Sequence, residues 1–336
     1  MYPLFSKADM VKGSVMRERV LVTGANGFVG SNLCRLLIQD NVDVWATGTA
    51  VGWRLMQGGW QDRFKECDLT SSEQVSALLQ EVRPDVVYHC ATYGAYPYRT
   101  GVPFQADRTR MISVNLNGTL NLLQAAESSH VRRLVHLGSS SEYGAQTIPR
   151  TEDLHEEPTD FYGLTKFFAT HACLHAARTG RLSVTVLRLF SVYGPLEEPT
   201  RLIPTLLRAV MTRQRPELLD PRPVRDYVYV DDVYRACKTA ANTPAADGRI
   251  INIGSGQQTS VGDVVRVLNT LSPDITPIWL GERRPEDSPV WGADVHLAKE
   301  LLGWSPQVSL QEGLRRTLTS AQSNADWGAR LLERQE

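Results

Sequence analysis

What the chain lacks narrows its possibilities first. Among 336 residues there are only five cysteines: Cys34, Cys67, Cys90, Cys173 and Cys237. They are odd in number, scattered, and form no Cys-x-x-Cys pair. That argues against a disulfide framework or a zinc ribbon and fits a reducing compartment. No apolar run approaches the roughly 18 residues that span a bilayer, so no membrane partner is expected. Met1 to Arg19 has neither an apolar signal core nor a small-residue cleavage site. Residues 1–16 read as a loose extension, and a cytoplasmic protein is expected. A basic excess is also missing: 36 Lys and Arg stand against 37 Asp and Glu. Nucleic-acid binders usually carry such an excess, so nucleic acid is not an expected partner.

What is present suits a globular enzyme. Hydrophobic residues make up 42% and charged residues 22%, enough for a large core. Short apolar runs alternate with helical patterns through the first half. Val20–Thr23, Val42–Ala46, Phe64–Asp68, Asp85–Cys90, Leu134–Gly138 and Val184–Leu189 read as strands. Ser31–Gln39, Ser72–Val82, Ile112–Ser128 and Tyr162–Arg178 read as helices. This alternation implies an α/β fold, a Rossmann-type doubly wound parallel sheet. After Gly194 six prolines interrupt the pattern, and strand-like pieces return at Tyr227–Val230 and Ile250–Ile253. The expected division is a dinucleotide-binding domain over 17–190, to which 226–254 returns. A smaller interleaved substrate lobe takes 191–225 and 255–336.

Gly24-Ala25-Asn26-Gly27-Phe28-Val29-Gly30 follows the first strand and opens the first helix. Glycines there permit a tight turn and close approach of a pyrophosphate, which the helix N-terminus attracts. At the end of strand two an acid would bind a ribose 2′-hydroxyl, but the run Val44 to Thr49 has none. Arg54 lies a few residues on, where it could meet a 2′-phosphate. NADP is therefore preferred over NAD. Asp68, ending strand three, reads either as an adenine contact or as a local cap.

Tyr162 and Lys166 are four residues apart on one predicted helix, so they share a face. A nearby ammonium favours the phenolate and turns tyrosine into a usable proton shuttle. Ser139 follows the strand Leu134–Gly138, at the sheet edge where ligands bind in this architecture.

Glycine turn, strand-end serine and Tyr-x-x-x-Lys in that order resemble the extended short-chain dehydrogenases/reductases. The resemblance is to the NAD-dependent epimerase/dehydratase group acting on nucleotide sugars. Asn115 to Thr119, Leu187 to Pro195, Arg225 to Asp232 and Leu302 to Pro306 are similar to further motifs of that family. The resemblance implies Tyr162 as acid/base, Ser139 as hydrogen-bond donor to the reacting sugar oxygen, and Lys166 as holder of the nicotinamide ribose. It places cofactor contacts at Gly24, Asn26, Gly27, Phe28, Val29, Gly30, Thr47, Arg54, Asp68, Leu69, Ala91, Asn115, Tyr162 and Lys166. Substrate contacts fall at Tyr93, Tyr96, Ser140, Ser191, Arg225 and Arg284. A nucleotide-diphosphate sugar is the implied substrate, and a homodimer through the helices at Asn115–Ser128 and Tyr162–Arg178 the implied assembly.

Departures from the family narrow the reaction. Its 4,6-dehydratases carry acids directly after the catalytic hydroxyl, whereas this chain has Ser139-Ser140-Ser141 and then Glu142, one place late. Ser191 replaces the family's Asn before Val-Tyr-Gly-Pro. The loop Thr92-Tyr93-Gly94 is similar to that of nucleotide-4-keto-6-deoxyhexose reductases. A 4-ketoreductase is therefore the first expectation and a 4-epimerase with tightly bound NAD the alternative. Dehydration and a non-catalytic NADP-binding regulator rank below both. No metal is expected: His171 and His175 lack an acidic or cysteine partner in sequence. His89 and His136 read as satisfied core histidines, and the tail tryptophans as core.

Overall fold

The computed structural model describes residues 18–55, 60–94, 104–272, 275–282 and 290–333. The chain begins with β1 (Arg19–Thr23), α1 (Phe28–Gln39), β2 (Asp43–Gly48), β3 (Phe64–Glu66), α2 (Ser72–Val82) and β4 (Val86–His89). Then come α3 (Phe104–Met111), a π-helical turn (Ile112–Asn117), α4 (Gly118–Glu127), β5 (Arg133–Ser139), α5 (Phe161–Arg178) and β6 (Ser183–Leu189). Next come β7 (Ser191–Tyr193), α6 (Leu202–Thr212), β8 (Glu217–Leu218), β9 (Val224–Arg225) and β10 (Tyr227–Tyr229). They are followed by α7 (Val230–Ala241), β11 (Ile250–Ile253), β12 (Thr259–Ser260), α8 (Val261–Leu271) and β13 (Ile278–Trp279). The chain closes with α9 (His296–Leu302), α10 (Leu310–Ser323) and α11 (Ala325–Leu332).

Seven strands form one parallel sheet in the order β11-β6-β5-β4-β1-β2-β3. Central strands are buried on both faces, which explains apolar runs such as Val20-Leu21-Val22 in place of alternation. α2 shows how the local sequence sets an element. The Ser71 side chain accepts the Gln74 amide, and Val75, Leu78, Leu79 and Val82 supply the buried face. Tyr227–Tyr229 stays outside this sheet and pairs with β7, while Ile250–Ile253 joins its edge beside β6.

The helix expected over Ile112–Ser128 starts earlier, at Phe104, and is broken by the π-helical turn. Asn115 lies within that turn. Its carboxamide accepts from the Tyr93 amide at 2.7 Å and donates to the Tyr93 carbonyl at 2.9 Å. It also donates to Thr165 Oγ1, tying the β4 loop to α5. Such bulges recur at functional sites.

A separate apolar cluster lies outside the seven-stranded sheet, built on Tyr193, Leu206, Leu207, Leu268, Leu314 and Trp327. Two buried carboxylates stitch its loops. Asp226 accepts from the amides of Ser255, Gly256 and Ala293 and from the Ser255 hydroxyl. Asp232 accepts from the amides of Gln307 and Val308 beside the buried Trp304. No helix among the described residues is long and apolar enough to cross a membrane.

Candidate active site

The C-terminal ends of β1, β4 and β5 bring the predicted side chains to one edge of the sheet. At the first of these, Gly24 turns the chain with φ +64°, and a Cβ on it would lie 2.5 Å from Ala91 Cα. Only glycine suits that combination of left-handed backbone and close approach. α1 then starts at Phe28 with no capping side chain and no acid in its first turn. Its leading amides therefore lack an internal acceptor and carry the positive end of the helix dipole, which fits a dinucleotide pyrophosphate. Asn26 closes the turn from the side by accepting the Gly52 amide at 2.7 Å.

Thr23, just before that turn, bonds His89 Nδ1 at 2.7 Å. His89 Nε2 meets Thr119 Oγ1 at 2.9 Å, and that hydroxyl donates to the Asn115 carbonyl. With its proton committed there, Thr119 accepts from His89, so Nε2 carries the ring proton. Burial pushes His89 down to about 3, with Lys166 adding to the effect, and the ring is neutral.

Lys166 is fully enclosed. Its Nζ donates to the Leu137 carbonyl at 2.7 Å and lies 3.3 Å from His136 Nε2. Burial lowers its pKa, and the charge of Glu142 works against that fall. His136 departs from the expectation of a satisfied core histidine, because its Nδ1 is buried without a partner. Tyr162 sits one turn before Lys166 on α5, partly exposed at the sheet edge.

Ser139 ends β5, and its Oγ accepts the Ser141 amide at 3.1 Å. One lone pair is thus occupied, and the hydroxyl proton remains for a ligand oxygen. The Ser139 amide donates to Glu142 Oε1 at 2.7 Å, while Glu142 Oε2 takes Arg188 Nε at 2.8 Å. Both Glu142 and Arg188 are completely buried.

Of the expected substrate contacts, Ser140 accepts the Trp291 indole N–H at 3.1 Å, and Arg225 lies 5.0 Å from the Trp291 ring centroid. Arg150, fully buried, covers the same indole at 4.1 Å. Trp291 therefore bridges the serine turn and Arg225, a role that nothing in its local sequence signals. Trp304 is core as expected, but Trp279 is exposed. Ser191 opens β7 and its amide donates to the Asp226 carbonyl. Tyr93 lies under the Arg110 guanidinium at 4.8 Å. Tyr96 and Arg284, both expected at the substrate, fall outside the described residues, as does the extension 1–16.

Several expected cofactor contacts have internal partners. Arg54 does not face open solvent to await a 2′-phosphate. It donates to the Leu196 carbonyl at 2.8 Å, the Asn26 carbonyl at 3.3 Å and Glu198 at 3.2 Å, and stacks on Trp53. Asp68 accepts from the amide and hydroxyl of Thr70. The Leu69 carbonyl takes Asn121, and the Thr47 hydroxyl donates to Lys65. His171 lies near Glu156, and no group of three or more metal-ligating side chains occurs among the described residues.

A seven-stranded Rossmann-type sheet with an uncapped first helix, a strand-end serine and a Tyr-x-x-x-Lys helix defines an enzyme of the extended short-chain dehydrogenase/reductase class. More narrowly, the chain belongs to the NAD dependent epimerase/dehydratase family, whose model matches residues 20–254. It is 28% identical to a UDP-glucuronate 4-epimerase of Thermodesulfobacterium geofontis, over 91% of this chain and 97% of the relative. It is 30% identical to a UDP-glucose 4-epimerase of Mycolicibacterium smegmatis, over 89% and 97%. Among solved structures, the UDP-glucuronic acid 4-epimerase of Bacillus cereus in complex with UDP-glucuronic acid and NAD matches with a TM-score of 0.80. Its identity is 29%, and the match covers 91% of this chain and 99% of that one.

Proposed function

We propose that the protein is a UDP-sugar 4-epimerase that keeps NAD bound through its cycle. The observation that carries this reading is the enclosed, carbonyl-anchored Lys166 one turn from Tyr162, beside a serine turn whose acid is already engaged. NAD would lie on the α1 N-terminus and against Lys166, serving as acceptor and then donor of hydride at sugar C4. Tyr162, as phenolate, takes the proton of the C4 hydroxyl and returns it to the C4 oxygen after the 4-keto sugar has turned its other face. The free hydroxyl proton of Ser139 holds that oxygen throughout. Lys166 has three N–H groups; Leu137 takes one, His136 lies within reach of a second, and the third is left for the ribose or the phenolate.

The 4-ketoreductase reading ranks first on sequence but loses support here. Arg54 has internal partners, and the relatives named above are 4-epimerases, one of them solved with NAD. Dehydration needs an acid free to act at C5 and C6, whereas Glu142 is held by Ser139 and Arg188. We also propose the two-lobe division given above, which the separate apolar clusters support except at α9, where Ala298, Leu302 and the following Trp304 pack into the cluster of the sheet. A homodimer is supported by the exposed Ile112, Leu120 and Phe168 on the π-helical turn, α4 and α5.

The test is incubation with UDP-glucose and with UDP-glucuronic acid in deuterated buffer, followed by NMR. The expected product is inverted at C4, contains no solvent deuterium and consumes no net cofactor. A deuterated 4-keto-6-deoxy product would instead mean dehydration. Reduction would show only with a UDP-4-keto sugar as substrate, as stoichiometric consumption of NADPH, because the two sugars above have no C4 carbonyl to reduce.

A further inference from the structure

The run Gly138-Ser139-Ser140-Ser141-Glu142-Tyr143-Gly144 forms one closed unit. Glu142 reaches back over a single 3-10 turn to the Ser139 amide, and the Ser139 hydroxyl reaches forward to the Ser141 amide. This is a reciprocal cap, and it fixes both the backbone and the side chain of Ser139. The carboxylate fits only because residue 138 is glycine: a Cβ there would lie 2.8 Å from Glu142 Oε1. The other oxygen of Glu142 binds Arg188, whose Nη2 binds Glu156 at 2.7 Å and whose plane lies 4.4 Å from the Tyr143 ring. The turn also presses on the tyrosine helix. A Cβ on Gly163, next to Tyr162, would lie 2.5 Å from the Ser141 carbonyl.

We propose that Glu142 is a positioning residue that sets the Ser139 hydroxyl against the substrate's reacting oxygen. This rests on the catalytic reading of Ser139 given above. Glu142 touches no reacting atom itself. Its carboxylate spans the Ser139 amide and the Arg188 guanidinium, so the serine is registered against β6, while the Ser141 carbonyl beside Gly163 sets the same turn against α5. Displacements on the order of 1 Å in such groups cost about 100-fold in rate, since the reacting geometry is narrow. An amide in place of the carboxylate could satisfy Ser139 or Arg188 but not both, because its NH2 would face a guanidinium donor.

The experiment is a double-mutant cycle. Glu142→Gln is measured alone and in a Ser139→Ala background, with kcat, KM and UDP affinity followed on whichever of the three products the wild type forms. Alone, E142Q is expected to lower kcat by roughly 10- to 100-fold, with KM and UDP affinity within about threefold. In the Ser139→Ala background it is expected to cost less than about twofold more, because the group it positions is already gone. Gly138→Ala, which crowds the carboxylate while keeping every polar group, should behave the same way and serves if E142Q does not fold. Equal losses in both backgrounds, or full kcat in E142Q, would overturn the proposal. Failure of the epimerase reading shows separately, as a wild-type product other than the C4-inverted sugar.

Discussion

Lys166 and His136 meet at 3.3 Å inside a space closed to solvent. Burial, reinforced by the Lys166 charge, holds His136 well below its ordinary pKa, so the ring is neutral and its Nε2 can accept the ammonium proton. The groups around the pair are His89 from β4, Cys90 just after it, Cys173 from α5 and Glu142 from the serine turn. Replacing His136 by Phe keeps a ring but removes the acceptor. A less stabilised ammonium lowers the Tyr162 phenol less, so the rise of kcat with pH should move up by about one unit. His136→Gln, with an oxygen near the Nε2 position, should restore the profile. An unchanged profile in H136F would assign the ring to packing alone.

Tyr162→Phe removes the proton shuttle and leaves the helix intact. Turnover should fall by roughly 1,000-fold or more, with NAD and UDP affinity nearly unchanged. Unaltered turnover in Y162F would exclude Tyr162 as the acid/base, whatever the overall reaction.

Arg54 links the glycine turn at Asn26 to Leu196 and Glu198 after β7. Its side chain is 10% exposed, whereas that of Glu198 is 30% exposed, so the ion pair itself is worth little and the carbonyl bonds more. Arg54→Ala should weaken NAD retention by about tenfold, read as cofactor released from purified protein, with no selective effect on NADP. Selective loss of NADP binding would return Arg54 to the 2′-phosphate role.

Glu197 is enclosed, and one of its oxygens has no partner. Burial pushes it up to about 7, against the pull of Arg201. Its folded pKa thus exceeds its unfolded one, so the folded state holds the proton more tightly. Stability is unaffected below about pH 4 and falls as pH rises from there through about 7. Glu197→Gln stays neutral throughout. Its melting temperature should match wild type near pH 4 and exceed it at pH 8, by up to about 3 kcal/mol in stability. Equal melting temperatures at both pH values would show that the carboxyl titrates normally.

Leu120 and Phe168 are 45% and 46% exposed on the neighbouring helices α4 and α5. Charges there should oppose association without disturbing the core. The double substitution Leu120→Glu and Phe168→Glu is expected to convert a sedimenting dimer to a monomer. An unchanged mass would place any interface elsewhere.

Much of the fold was legible because it is written in local periodicity. α2 is the case in point: Ser71 and the spacing of Val75, Leu78, Leu79 and Val82 predict its bounds, Ser72–Val82, to the residue. The glycine turn and the Tyr162–Lys166 spacing are equally local. The parts that escaped are long-range. Asn115 sits in the π-helical turn and bonds Tyr93 and Thr165, which lie 22 and 50 residues away. Glu142 is a lone acid one place late until Arg188, 46 residues on, takes its second oxygen. Arg54 invites a phosphate on paper and binds Leu196, 142 residues away, in the fold. Trp291 joins Ser140 across 151 residues, with no periodic pattern to announce it.

The carboxylates of Asp226 and Asp232 give the site an order of assembly. Asp226 takes the Ala293 amide 67 residues later, and Asp232 takes Val308 76 residues later. During synthesis the seven strands are complete once Ile253 has emerged, and the sheet can close around its core. The wall carrying Trp291 fastens to Ser140 and Asp226 only once residues 291–293 have themselves emerged. A nascent chain therefore presents the edge with the glycine turn and Lys166 before the Trp291 wall exists, and on the proposed function its site is finished from the far end of the polypeptide.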